Sequence, residues 1–225
     1  MDRRLYENIE NYMLTCMKDS AHDKEHVYRV LYVALDIAAT EENIDRNVLV
    51  ASCLLHDIGR EAQYRDPTLC HAEEGSKMAY DFLIKNGWVP QRAAHVRSCI
   101  LTHRYRSDRS PQSIEAKILF DADKIDATGA LGIARTLIYQ GQVSQPLYSV
   151  DGEGNVMDGA GEEPPSFFRE YKFKLEKVYD SFYTSRGHAI ARERRADAVS
   201  FYDAMLKEAN DCYINGKRDL NVLLK

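Results

Sequence analysis

The sequence has few cysteines, and none of them forms a C-x-x-C pair. The five cysteines are scattered along the chain at Cys16, Cys53, Cys70, Cys99 and Cys212. A disulfide framework typically shows an even, regularly spaced set, and a thiolate zinc site uses closely paired cysteines. The cysteine pattern therefore argues against both kinds of site, and we interpret the cysteines as buried, reduced thiols.

The sequence also lacks a long apolar run and an excess of positive charge. Its longest apolar stretch, 48–55, is interrupted by Ser52 and is far shorter than the ~18–20 residues of a membrane span. The N-terminal residues MDRRLYENIENYM are charged where a secretory signal would be apolar. With 30 Lys and Arg against 35 Asp and Glu, the net charge is −5, which gives no general attraction to nucleic acid or anionic lipid. We therefore expect a cytoplasmic protein that binds neither a membrane nor nucleic acid stably.

No segment alternates apolar and polar residues for long enough to predict a sizeable sheet, whereas helical spacing recurs along the chain. The nearly continuous apolar segment 47–55 predicts a helix buried on most sides, which ends at Gly59 in a left-handed conformation. Further helices are expected over Ala72–Asn86, over Gln91–His103, from Ile114 through Ala134, and in two segments from about 166 to the C-terminus.

The segment 140–165 is rich in glycine, proline and acidic residues. This composition predicts an irregular loop with a small hairpin at Asp151-Gly152. Loops of this length in compact proteins are uncommon and often functional. A chain of 225 residues with 44% hydrophobic residues can bury a core without disulfides. We therefore predict an all-α, single-domain protein over 1–225, with the candidate site in a core of about 22–135 and a C-terminal helical extension of about 166–225.

Histidines and aspartates lie at the ends of several predicted helices. His26 lies near the start of one helix, His56 and Asp57 are adjacent in LLHDIGR, and Asp123 lies in LFDADKID. Burying an imidazole and a carboxylate costs several kcal/mol unless both find a partner. A metal ion would be such a partner. A buried His–Asp hydrogen bond with a purely structural role is the alternative, and the spacing alone leaves both open.

The pattern formed by His26, His56-Asp57 and Asp123 resembles the H…HD…D motif of the HD superfamily of metal-dependent phosphohydrolases. The surrounding segments HDKEHVYRV (22–30), ASCLLHDIG (51–59) and EAKILFDADKIDATGALGIAR (115–135) are similar to small stand-alone members of that family. The resemblance implies an all-α HD domain whose divalent metal is held by these four residues. Asp121 is the alternative to Asp123, which is preferred because the family's ligand lies in an Ala-Asp pair.

Two further histidines fit the same resemblance. His71 opens HAEEGS and His103 lies in CILTHRYR, and HD proteins with two metals place one extra histidine in each of these intervals. The resemblance implies either a six-ligand centre in which Asp57 bridges two ions, or one ion with His71 and His103 hydrogen-bonded to substrate phosphate. Imidazoles and carboxylates without thiolates suit Mn, Fe, Co, Ni or Mg better than a closed structural zinc site.

The activity implied is the hydrolysis of a phosphoester or phosphoanhydride by metal-activated water. The expected partner is a small phosphorylated substrate, with a nucleotide as the first expectation. Arg29, Arg60, Lys124 and Arg104 lie beside the candidate ligands, where positive charge would stabilise a phosphoryl group in transfer. Asp57 is expected to orient the water, and Asp126 is a candidate proton shuttle.

Two other functions stay open at this point. The same ligands would serve a dinuclear-iron oxygenase, or a non-catalytic, metal-stabilised module that binds a nucleotide. The apolar helices would permit a homodimer. The natural substrate, the identity and number of the metal ions and the general acid are not determined by the sequence.

Overall fold

A computed structural model describes residues 1–17, 24–104 and 109–224. Its α-helices are α1 (Arg3–Cys16), α2 (Lys24–Ala38), α3 (Arg46–Leu55), α4 (Arg60–Arg65), α5 (His71–Lys85), α6 (Pro90–Thr102), α7 (Ile114–Ile125), α8 (Gly129–Gln142), α9 (Phe167–Glu170) and α10 (Ser185–Leu223). The described residues contain no β-strand beyond one isolated bridge. The predicted all-α class is confirmed. Residues 22, 23, 105–108 and 225 of the predicted core and extension lie outside the described residues.

The described residues form two compact units. The first contains Met1–Asp126 and Phe182–Gly187, and the second contains Ala127–Ser181 and His188–Lys225. A single domain over 1–225 stays a prediction. In the parts of the chain that the structure describes, no helix has both the length and the apolarity to cross a membrane.

Helix α3 lies at the centre of the first unit, in contact with α1, α2, α5, α6 and α7. Its residues from Ala51 to Leu55 are all fully buried, as the nearly continuous apolar segment predicts. Burial of each large aliphatic side chain in this helix contributes about 1.5–3 kcal/mol. The C-terminal end of α3 is therefore held firmly in the interior, and the His56-Asp57 pair follows it directly.

The N-terminal ends of α3 and α7 are capped and linked to each other. The Asp45 carboxylate accepts hydrogen bonds from the N–H groups of Asn47 and Val48 at the start of α3, a cap worth about 1 kcal/mol. The Asp45 N–H donates to Glu115 Oε1 on α7 at 2.8 Å. These contacts fix the register between α3 and α7, whose C-terminal ends carry candidate site residues.

The prediction that Gly59 ends the buried helix in a left-handed conformation is wrong. Helix α3 ends at Leu55, and Gly59 has φ −84° and ψ 0° at the start of α4. A glycine is required there by space, because a Cβ atom would lie 2.2 Å from the carbonyl oxygen of His71 and 2.5 Å from the nitrogen of Gly75. The close approach seats the start of α4 on the first turn of α5.

The predicted continuous helix from Ile114 through Ala134 is also wrong, because the chain turns between α7 and α8. Asp126 is the C-cap of α7 and Thr128 is the N-cap of α8. Gly129 has φ +66°, a left-handed conformation that glycine adopts without strain. Helical apolar spacing continues across the turn, so periodicity alone does not reveal it.

The second unit has an aromatic core and one long loop. Phe167, Phe168, Tyr171 and Tyr202 are buried, and the rings of Tyr171 and Tyr202 stack at 4.2 Å. Helix α9 continues as a π-helical turn, Tyr171–Leu175, and a 3₁₀ turn, Val178–Asp180. Between α8 and α9 the chain is irregular, with a Val150–Val156 bridge around the predicted hairpin.

Candidate metal centre

The six predicted ligands are brought together in the first unit, mostly by helix ends. His26 lies in the first turn of α2 and His71 is the first residue of α5, whereas His56 and His103 are the C-caps of α3 and α6. Asp57 follows His56, and Asp123 lies in the last turn of α7. At a helix end the backbone turns away, which lets side chains from several helices converge.

The six side chains form two groups of three. His26, His56 and Asp123 make the first group, and Asp57, His71 and His103 make the second. Within each group, one potential ligand atom from each residue lies within 4.8 Å of the others. Imidazole nitrogen and carboxylate oxygen are the ligand types preferred by first-row divalent metals.

Asp57 of the second group also faces the first group, with one carboxylate oxygen toward the histidines of each group. Its Oδ2 atom is 3.6 Å from Nε2 of His26 and 3.6 Å from Nε2 of His56. Its Oδ1 atom is 3.5 Å from Nε2 of His71 and 3.7 Å from Nε2 of His103. This arrangement is the one expected of a carboxylate that bridges two ions.

Each of the four histidines in the two groups has its Nδ1 atom next to a hydrogen-bond acceptor. His56 Nδ1 lies 2.8 Å from the carbonyl oxygen of Cys53, and His103 Nδ1 lies 2.6 Å from that of Ile100. His26 Nδ1 lies 2.7 Å from Asp126 Oδ2, and His71 Nδ1 lies 2.7 Å from Gln63 Oε1. Because each Nδ1–H donates, the Nε2 atom of each ring presents a lone pair to the centre when the imidazole is neutral. Metal-binding histidines are usually oriented in this way.

The second group contains buried polar atoms that lack a partner. Asp57 Oδ1, His71 Nε2 and His103 Nε2 are buried and have no hydrogen bond to any of the described residues. Leaving such atoms unsatisfied costs about 1–3 kcal/mol each, and more for a charged group. Three convergent acceptor atoms cannot satisfy one another, but a cation satisfies all of them. The residues present therefore fit a divalent metal ion.

Burial keeps two of the histidines neutral. It lowers the pKa of His56 to about 4, although the nearby carboxylates of Asp57 and Asp123 oppose the shift. Burial, reinforced by the Arg60 guanidinium, lowers the pKa of His71 to about 3. A neutral imidazole is the form that binds a metal, so neither residue needs to lose a proton near pH 7.

His26 lies in a more negative environment. Burial lowers its pKa, but hydrogen bonds to Asp123 and Asp126 outweigh that effect and raise the pKa to about 9. Burial also opposes ionisation of Asp57, yet Arg60 and the histidines hold the pKa of this carboxyl well below its usual range. Asp57 therefore stays ionised, and together with Asp123 and Asp126 it favours the positively charged form of His26.

Two arginines are paired with carboxylates of the centre. Arg60 Nε donates to Asp57 Oδ2 at 2.8 Å, and the Arg60 side chain is still 36% exposed. Arg29 donates to both carboxylate oxygens of Asp126, from Nε at 2.7 Å and from Nη2 at 3.1 Å. Asp126 therefore lies between Arg29 and His26, where it orients the imidazole.

The remaining basic candidates lie beside the ligands. Lys124 Nζ is 4.7 Å from the centroid of the Phe120 ring. Burial lowers the Lys124 pKa to about 8, even though Asp123 and Asp121 favour its charge. Arg104, directly after His103, donates from Nη1 to the sulfur of Cys70. Cys53 is fully buried and belongs to neither group of ligand atoms.

Asp121, the alternative ligand, belongs to neither group and has another role. Its carboxylate accepts the backbone N–H groups of Tyr183 and Thr184 and the Thr184 hydroxyl, at 2.7–3.1 Å. A Cβ atom on Gly187 would lie 2.6 Å from Asp121 Oδ2. Asp121 thus anchors the segment 182–187 to α7.

Sequence reasoning missed Gln63, the residue that contacts His71. It lies in the short helix α4, which has six residues and no apolar periodicity. A lone glutamine eight positions before a histidine carries no recognisable signal. Its role becomes visible only because Gly59 seats α4 against the start of α5.

Comparison with known proteins agrees with this geometry. The family model described as the HD domain matches residues 24–128, a range that contains all six predicted ligands. The Bacillus subtilis (strain 168) protein described as "Uncharacterized protein YpgQ" is 28% identical over 208 residues, covering 90% of this chain and 92% of that protein. Residues 24–128 therefore match the HD-domain family.

Solved structures extend the similarity beyond that range. The crystal structure of Bacillus subtilis YpgQ in complex with ADP has a TM-score of 0.68 and 25% identity, covering 90% of this chain and 97% of that chain. An HD-superfamily hydrolase from Bacillus thuringiensis has a TM-score of 0.69 and 27% identity, with coverages of 92% and 97%. A predicted HD-superfamily hydrolase from an uncultured Thermotogales bacterium has a TM-score of 0.60 and 28% identity, covering 92% of each chain. The predicted family is confirmed.

Proposed function

We propose that this protein is a metal-dependent phosphohydrolase that cleaves a phosphoester or phosphoanhydride of a nucleotide with metal-activated water. The observation that carries the proposal is the pair of ligand groups that Asp57 faces, with three buried acceptor atoms that have no hydrogen-bond partner among the described residues. The relatives named as HD-superfamily hydrolases support the reaction class. The complex of YpgQ with ADP supports a nucleotide as the substrate.

The ligands in this proposal are His26, His56, Asp57, His71, His103 and Asp123. Ions held there would lower the pKa of bound water and polarise a phosphoryl oxygen. Asp57, which faces both groups, would fix the position of the attacking water by accepting its hydrogen bond. His26 and His56 would stay oriented because their Nδ1–H groups donate to Asp126 and to the carbonyl of Cys53.

The basic side chains take separate roles. Arg60 uses Nε to hold Asp57, and its remaining guanidinium N–H groups would bind a phosphate oxygen, since a guanidinium has five donors. Lys124 and Arg104 would stabilise the negative charge of a more distant phosphate. Arg29, engaged by Asp126, would hold that carboxylate on His26 and would not contact the substrate. Asp126 would therefore act mainly by orienting His26.

The test is hydrolysis of a panel of nucleoside mono-, di- and triphosphates and generic phosphoesters by the full chain, loaded in turn with Mn, Fe, Co, Ni or Mg. We expect turnover with at least one ion and a loss of at least about 100-fold in His56→Ala, since removing even an outer partner of a ligand costs about 10–100-fold. His188→Ala, at an exposed position on α10, is the matched control and should retain activity. No turnover with any ion, or equal activity in His56→Ala, would overturn the proposal.

A further inference from the structure

The four histidines are held in two different ways. His56 and His103 donate Nδ1–H to carbonyl oxygens three residues earlier in their own helices. His26 and His71 are held by side chains from other elements, Asp126 and Gln63. Each group therefore contains one histidine fixed by its own backbone and one fixed by a remote side chain.

We infer that Gln63 is a positioning residue for the second group alone, and that it controls occupancy of the second metal position through the tautomer of His71. The inference rests on the proposed metal centre. Gln63 Oε1 lies 2.7 Å from His71 Nδ1, so the amide oxygen accepts the Nδ1–H. The other ring nitrogen, Nε2, is then left deprotonated 3.5 Å from Asp57 Oδ1.

The local backbone supports this role. The N–H of Gln63 donates to the carbonyl of Gly59 at 3.3 Å, which ties it to the residue that packs on His71 and Gly75. Because that approach leaves no space for a Cβ atom, α4 and the first turn of α5 are held in one arrangement. Gln63 therefore reaches His71 from a fixed position, although its own side chain is only partly buried.

The first group does not depend on Gln63. Its two histidines take their Nδ1 acceptors from Asp126 and Cys53, and its carboxylate, Asp123, lies on α7. Loss of the Gln63 amide would let His71 rotate or change tautomer, while His26 and His56 keep their orientation. Outer partners of metal-binding histidines typically change metal affinity by about 10–100-fold.

The variant that tests this is Gln63→Met in the full chain, which keeps the side-chain length and removes the acceptor. Mn²⁺ binding is measured by titration, and the Mn²⁺ electron paramagnetic resonance spectrum reports whether two ions interact. We expect the wild type to bind two ions with a spin-coupled spectrum. Gln63→Met should bind one ion with unchanged affinity, bind the second about 10–100-fold more weakly, and show the spectrum of an isolated ion.

Two further variants separate this role from a general structural one. Gln63→Glu keeps an acceptor oxygen for Nδ1–H and should restore the second ion and the coupled spectrum. Gln91→Met, at an exposed position at the other end of α6 from His103, should behave as the wild type. Equal melting temperatures in the presence of chelator would show that all three variants fold alike.

The outcomes distinguish this inference from the proposed function. A wild type that binds fewer than two ions would overturn the two-metal centre and, with it, the role of Gln63. A wild type with two ions and a Gln63→Met variant that keeps both, or that loses affinity equally at both positions, would overturn the role of Gln63 alone. Failure of Gln63→Glu to recover the second ion would do the same.

Discussion

The Oδ1 atom of Asp57 lies 3.5 Å from Nε2 of His71, and neither buried atom has a hydrogen-bond partner in the part of the chain that the structure describes. A carboxylate oxygen and an imidazole nitrogen that both present lone pairs repel each other unless a cation lies between them. His103 Nε2 approaches the same oxygen at 3.7 Å and likewise has no hydrogen bond to a described residue. The side chains of the second group therefore fit a bound cation.

Removal of metal should lower thermal stability reversibly. A ligand present at 100 times its dissociation constant stabilises the folded state by about 2.7 kcal/mol. For a chain of this size that corresponds to a change in melting temperature of about 5–10 °C. Calorimetry with Mn²⁺ and then with excess chelator should show this decrease, and added Mn²⁺ should reverse it. An unchanged melting temperature would contradict a metal bound in the interior.

Asp121 and Asp123 should separate in their effects. Asp121→Ala leaves the buried N–H of Thr184 without an acceptor and removes further hydrogen bonds to a charged carboxylate, so the free energy of unfolding should fall by about 3 kcal/mol. Metal stoichiometry should stay that of the wild type. Asp123→Ala should instead reduce metal binding.

The pair is measured by urea unfolding and by elemental analysis of the same samples. Loss of metal in Asp121→Ala under conditions where it is fully folded would make Asp121 a ligand, contrary to its position on the 183–184 backbone.

Gly59→Ala should destabilise the first unit strongly. The new methyl group would meet the backbone of His71 at 2.2 Å and that of Gly75 at 2.5 Å, and backbone atoms cannot move aside as a flexible side chain can. We expect a loss of about 3 kcal/mol, at the upper end of typical overpacking, together with weaker binding of the second ion. Gly141→Ala is the matched control, because no atom of the described residues lies within 4 Å of the Cβ position at Gly141 and alanine favours the helix. Equal unfolding curves for the two variants would contradict the close contact at Gly59.

Arg60→Ala and Arg60→Lys should differ in catalysis. Arg60 holds Asp57 Oδ2 with Nε and leaves further donors for the substrate. Lysine would restore the charge but cannot hold both partners with a planar fork. We therefore expect kcat/KM to fall in both variants, with Arg60→Lys intermediate. Steady-state kinetics on the substrate found in the panel would test this, and wild-type kinetics in Arg60→Ala would remove Arg60 from the active site.

Much of the fold followed from local pattern. Helices α5 and α6 begin and end within about one residue of the predicted bounds, because their apolar spacing is regular and Gly87 and Pro90 mark the gap between them. The H…HD…D residues were recognisable because their sequence context is distinctive. The HD family and the all-α class were therefore predictable.

What was not predictable depends on contacts between distant residues. Gly59 was expected to be left-handed, but its small size is required by His71 and Gly75, which lie 12 and 16 positions further along the chain. The turn after α7 interrupts an apolar pattern that continues through it. From the sequence, Asp121 could be a ligand. Its actual hydrogen bonds could not be predicted, because only the folded chain places the 183–184 backbone beside it.

The central claim is that two ions lie on either side of Asp57. The most direct measurement is X-ray diffraction at the manganese edge from crystals of the full chain grown with Mn²⁺. We predict two anomalous peaks, one among His26, His56 and Asp123 and one among Asp57, His71 and His103. If a peak is missing at one or both groups, or if manganese binds only elsewhere on the chain, the account is contradicted.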